Sequence, residues 1–271
     1  MYDDMGRLVE QMVAEGEWPD PQLLDEILSA GDRAVEPLLE VVRCEVHGWP
    51  AEAPLGFAAR LLGQLRAQAS LRALVDLLYR YDNETLEAVE SALVTLGPVT
   101  VGPLLLALRD PRLPWGPKAA AAGALTKVAA DDRASWDVVT GAFVDQLSGY
   151  VERASTLTSD EIEMATELAG QLARLGVRRA RGLIQLAYQR GIIDLEKLGE
   201  DAVARHYEEG LTEPVIISSW LEDYREAYLE KVRGDCEEIN IVSISDVLAD
   251  GGPEVLEVDE TDEEAPWTLT E

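Results

Sequence analysis

The sequence predicts an all-α chain, an α-solenoid of about five helix pairs with extra capping helices and an acidic C-terminal tail. Three observations predict it. A turn signature recurs at long intervals, an apolar stripe recurs with the period of a helix, and no strand-like alternation competes before residue 212. Composition agrees. The 271 residues include only two Phe, and the apolar content is mostly Ala, Leu and Val. Ala and Leu are strong helix formers, and small side chains let helices approach closely.

The turn signature has three clear copies, centred on Gly31, Gly97 and Gly176. Four residues after each glycine comes Val35, Val101 or Ala180. Six residues after comes Pro37, Pro103 or Gly182, followed by an apolar pair. Gly ends a helix by taking the left-handed conformation without a Cβ penalty. Pro early in the following helix costs little, because the first amides have no intrahelical acceptor to lose. A weaker copy runs from Ala67 to Leu74, and the poorest lies near Asp131 to Val138. The 66 residues from Gly31 to Gly97 fit two repeats. The 79 from Gly97 to Gly176 fit two repeats and an insertion.

In chain order, a capping helix is expected at about 3–15 and helix pairs at roughly 20–45, 51–81, 84–109, 117–147 and 158–190. Asp20-Pro21 supplies an N-cap and a proline at the first helical position, and Gly116-Pro117 does likewise. Thr158 and Glu161 have capping-box spacing. The stripes Leu55, Ala58, Leu62, Leu65, then Leu86, Val89, Leu93, Leu96, then Ile162, Ala165, Ala169, Leu172 each place one apolar face on a helix. Helices near 197–209 and 215–232 follow. One pair cannot bury its own stripe, whereas stacked pairs share a continuous core. The organisation read is 1–19 capping helix, 20–190 repeats, 191–233 C-terminal helices and 234–271 acidic, partly disordered tail.

Over residues 20–190 this order of helix pairs, with the turn Gly-x-x-x-Val-x-Pro-Leu-Leu, resembles the short HEAT-like repeats of phycobilin lyases and a group of bacterial HEAT-repeat proteins. The resemblance implies an α-solenoid with pairs of about 30 residues, acting as a scaffold or adaptor.

Charge narrows the function. The net charge of −29 opposes general binding to nucleic acid or to an anionic membrane, and it favours a protein partner with a basic surface. From Gly234 to Glu271 there are 13 Asp or Glu and no Lys or Arg. Two cysteines make no disulfide framework, and the first residues lack the pattern of a secretory signal, so a cytoplasmic location is expected. Cys44-x-x-His47 offers two metal ligands where structural zinc wants four. No His-Glu dipeptide, phosphate loop or nucleophile–base pair is visible, so no catalytic residue, cofactor or metal is expected and the chain reads as a non-enzyme.

Candidate partner-binding residues fall in three groups. Trp49 and Trp115 sit in links between repeats, where an aromatic either anchors a partner or plugs its own loop. Arg178, Arg179 and Arg181 lie in a local basic cluster with Arg174 and Arg190. Arg178 and Arg181, three apart, are expected on one helix face. That cluster either pairs with neighbouring carboxylates or docks an acidic peptide, for which Glu260, Glu263 and Trp267 of the tail are candidates. The tail otherwise reads as a linear motif or a solubiliser. Exposed polar residues on the second helices, Glu36, Glu40, Asp76, Asp137, Asp145 and Gln185, are expected to meet an extended segment. Two other functions compete with the scaffold: an acidic mimic of nucleic acid that inhibits a DNA-binding protein, and a HEAT-fold enzyme such as a cofactor lyase.

Overall fold

The structure is a computed structural model that describes residues 4–43, 53–80, 84–209 and 220–233. Among them every regular element is helical. The helices are α1 (Asp4–Glu15), α2 (Pro21–Ser29), α3 (Asp32–Arg43), α4 (Ala53–Gln64), α5 (Leu71–Leu77), α6 (Glu84–Leu96), α7 (Val101–Arg109), α8 (Trp115–Asp131), α9 (Arg133–Glu152), α10 (Ser159–Arg174), α11 (Arg181–Gln189) and α12 (Glu200–Glu209). The chain divides into two compact units, Met1–Tyr224 and Arg225–Glu271. In the second, residues 225–233 are described and helical.

Within the first unit each helix packs on its next-but-one neighbour. The even-numbered helices contact one another in sequence from α2 to α12, and the odd-numbered ones from α1 to α11. Cross-contacts such as α3 with α4, α5 with α6 and α8 with α9 join the two rows. The stripes account for this. Leu62, Val89, Leu93, Ala165, Ala169 and Leu172 are fully buried, in one apolar cluster that extends from Met5 to Leu221. Helices α1 and α12 therefore contribute to the same apolar core as the helices between them.

Local signals set the helix ends. Asp20 caps α2 by accepting from the Gln22 amide at 2.8 Å, with Pro21 next. Thr158 and Glu161 make both halves of a capping box on α10. Gly31, Gly97 and Gly176 have φ of +60, +75 and +66°. At Gly176 the amide bonds Ala173 O and the next amide bonds Leu172 O, the pairing that satisfies the last carbonyls of a helix. The same two bonds form at residue 66, where Arg66 takes φ +49° in the glycine's place. The weaker repeat thus keeps the turn and loses the residue best suited to it.

Three expectations change. Pro37 lies inside α3 and not in its first turn, because the chain enters α3 directly at Asp32, whereas the other clear copies place a 3-10 turn first, Gly97–Thr100 and Arg178–Ala180. Helix α8 begins at Trp115 with Pro114 as its N-cap, so Gly116-Pro117 falls within its first turn; no bond is lost there, since those amides have no intrahelical acceptor. Near Asp131 no glycine turn is used. Asp132 alone separates α8 from α9 and accepts from the Ser135 amide at 2.8 Å.

The stretch Thr85–Arg109 has mean hydropathy 1.8, long and apolar enough by composition to cross a bilayer. Gly97 splits it into α6 and α7, which bury Leu93, Leu104 and Leu108 in the core. The same unit is clasped end to end. Phe57 of α4 meets the Tyr224 ring edge-on at 5.1 Å, Trp18 stacks on Tyr224 at 6.0 Å, and the Tyr224 hydroxyl donates to Pro19 O at 2.7 Å.

Candidate functional site

Helix α8 presents a floor of small residues, Gly116, Ala119, Ala120 and Gly123, between its even-row neighbours α6 and α10. Small side chains there leave a groove of about 450 Å3. Its walls carry Glu87 and Glu90 from α6 and Glu167, Gln171 and Arg174 from α10; Trp115 and Lys127 also line it.

The recess has a specific cause at Gly123. A Cβ at that position would stand 2.7 Å from Glu90 Oε1, so the missing side chain makes room for a carboxylate. Lys127 Nζ pairs with Glu90 at 3.0 Å. Burial nonetheless raises the Glu90 pKa above the usual carboxylate value; Lys127 opposes the rise, and Glu167 adds to it. Glu167 accepts from Gln171 Nε2 at 2.5 Å and has no cationic partner among the described residues. Thr126, 2% exposed, also lines the groove, and its hydroxyl has no hydrogen-bond partner among the described residues. Among the described residues no three His, Cys, Asp or Glu groups stand together to hold a metal ion.

The structure places the sequence candidates unevenly. Trp115 opens α8, not a link before it, and is 40% exposed. Lys197 Nζ lies 5.3 Å from its ring centroid while also pairing with Glu163. Arg178 and Arg181 do not share an α-helix face: Arg178 lies in the 3-10 turn and Arg181 opens α11. Arg179 reaches back to Thr140 Oγ1 at 3.1 Å, and Arg181 lies over the Tyr207 ring at 4.4 Å. Arg174 lines the groove. The arginines thus disperse to separate neighbours. Glu36, Glu40, Asp76, Asp137, Asp145 and Gln185 are all exposed on the odd row. His206 is on α12, its pKa lowered by partial burial and by Arg174 and Arg205. Trp49, Cys44, His47, Glu260, Glu263 and Trp267 lie outside the described residues.

Sequence reading missed the carboxylates of the groove. Glu90 and Glu167 are 77 positions apart, on different repeats, in a chain with 52 acidic residues. The available signal was Gly123 inside an alanine-rich helix, where glycine costs about 1 kcal/mol relative to Ala. The chain matches no family model and, at a significant level, no curated protein and no solved structure.

Proposed function

We propose that this chain is a cytoplasmic, non-enzymatic protein-interaction scaffold, an α-solenoid of HEAT-like helix pairs whose groove over α8 holds an extended partner segment carrying a basic side chain. Two rows of helices, each packed next-but-one, support the stacked-pair reading. The observation that carries the binding reading is the groove itself. It combines a small-residue floor and the Glu167 carboxylate, without a cation among the described residues, beside an exposed Trp115. A carboxylate in a recess binds an ammonium or guanidinium more strongly than one in open solvent, because the local dielectric is lower.

The test is calorimetric titration of the full chain with a capped lysine-containing peptide. Glu167→Gln is expected to weaken binding about tenfold, the loss of one charge-assisted contact. Helical content and melting temperature should stay unchanged. Binding indifferent to Glu167, or weakened equally by Asp137→Asn on the odd row, would overturn the reading.

A further inference from the structure

A second cavity, of about 610 Å3, lies by the N-terminal end of α8, where the α7–α8 link meets the end of α9 and the start of α10. Trp115 lines this cavity as well as the groove. The two differ in charge. The groove is lined by three carboxylates and two cations; the cavity is lined by three cations, Arg109, Lys118 and Arg153, and two carboxylates. Arg153 is engaged by Glu161 at 2.8 Å. Arg109 and Lys118 have no carboxylate partner among the described residues, in a chain with 52 acidic residues against 23 basic ones. Cations left single amid such an excess of carboxylates are available to an incoming anion.

Of the two carboxylates, Glu161 is taken by Arg153, and Asp160 is exposed and without a cation partner among the described residues, which opposes an anion; the neutral polar groups favour one. Gln146 Nε2 donates to the Tyr150 hydroxyl at 3.0 Å, which leaves the phenol's own proton free to donate. Burial raises the Tyr150 pKa, so the phenol keeps that proton at neutral pH. The first turn of α8 contains no acidic residue and has no side-chain cap, so the positive end of the helix dipole is not offset there.

We propose that groove and cavity form one composite site for a partner segment of mixed charge, with a Lys or Arg side chain held at Glu167 on one side of Trp115 and an Asp or Glu side chain held by Arg109 and Lys118 on the other. The proposal rests on the scaffold reading above and adds the order of charges. An extended chain advances about 3.3 Å per residue and alternates its side chains between two faces, so a separation of two residues carries a segment across one indole ring with both charges turned toward the protein. Trp115 already faces an ammonium, that of Lys197, and its exposed area gives the backbone between the two charges a flat apolar rest.

The experiment uses the full chain and two capped probes, acetyl-Gly-Lys-Ala-Glu-Gly-amide and the same peptide with Gln for Glu, titrated at low ionic strength. The Glu probe is expected to bind about tenfold more tightly than the Gln probe. Arg109→Gln with Lys118→Gln should erase that advantage and leave the affinity of the Gln probe unchanged; both residues line a surface cavity, and an unchanged melting curve checks the fold. Equal binding of the two probes, or a double variant that weakens both equally, would overturn the composite site while leaving the groove intact. Failure of both probes to bind would instead remove the scaffold reading on which it stands.

Discussion

The two sides of α6 solve the same packing problem differently. Toward α4 the seam is closed: a Cβ on Gly63 would come within 2.6 Å of Ala92 Cα, so glycine is there to bring two backbones together. Toward α8 the seam is open: Gly123 makes its room for the Glu90 carboxylate, and a groove remains. Helix α6 therefore carries an apolar stripe that holds the stack and, beside it, an acidic edge that the stack leaves accessible. One small residue serves cohesion and the other serves a polar recess. The neighbouring atom decides which, because backbone cannot move aside and the end of a glutamate can.

The sharpest way to break this contrast is Gly63→Val. The added atoms meet backbone, so the helices must part, and a loss of about 3 kcal/mol is expected, the upper end of overpacking costs. Chemical denaturation would register it, and a variant as stable as the parent would show that the seam has slack. Gly123→Ala should behave oppositely. Displacing the Glu90 side chain is offset by the better helix propensity of Ala, so stability should change by less than about 1 kcal/mol. Affinity for the lysine-containing probe should fall, since the recess is altered; an unaffected affinity would detach Gly123 from the site.

The buried carboxylate gives a pH signature of definite sign. A Glu pKa raised on folding means that ionising Glu90 costs stability, so its contribution is fully present below the unfolded value of about 4.5 and is lost as pH rises through the folded pKa. Glu90→Gln should therefore be favoured relative to the parent at neutral pH, and that relative gain should shrink as the pH falls toward 4. A difference that grows on acidification would mean that the Lys127 pairing outweighs burial. Away from the groove, Arg66→Gly should bring a gain of up to about 1 kcal/mol from relieving a left-handed arginine, read as a rise in melting temperature. No gain would show that Arg66 makes compensating contacts.

The helices and their ends were legible in the chain. Asp20-Pro21, the Thr158–Glu161 box and the glycines at 31, 97 and 176 act through bonds to residues a few positions away, so their chemistry is written locally. The apolar stripes likewise announced which faces would be buried. Even here, local reading stopped short at residue 66, where the glycine-type turn forms on an arginine, and at Pro37, which α3 absorbs beyond its first turn.

What the sequence alone determined is the helix inventory, the turn chemistry and the overall negative charge. Tertiary structure alone decided where charge becomes a site. Glu90, Gly123 and Glu167 belong to three helices; neither glutamate has a local signature that separates it from the others, and Gly123 signals only a costly residue inside α8, not what fills the space beside it. Their meeting depends on how closely α6, α8 and α10 approach, and that distance is set by side chains lying a whole repeat apart.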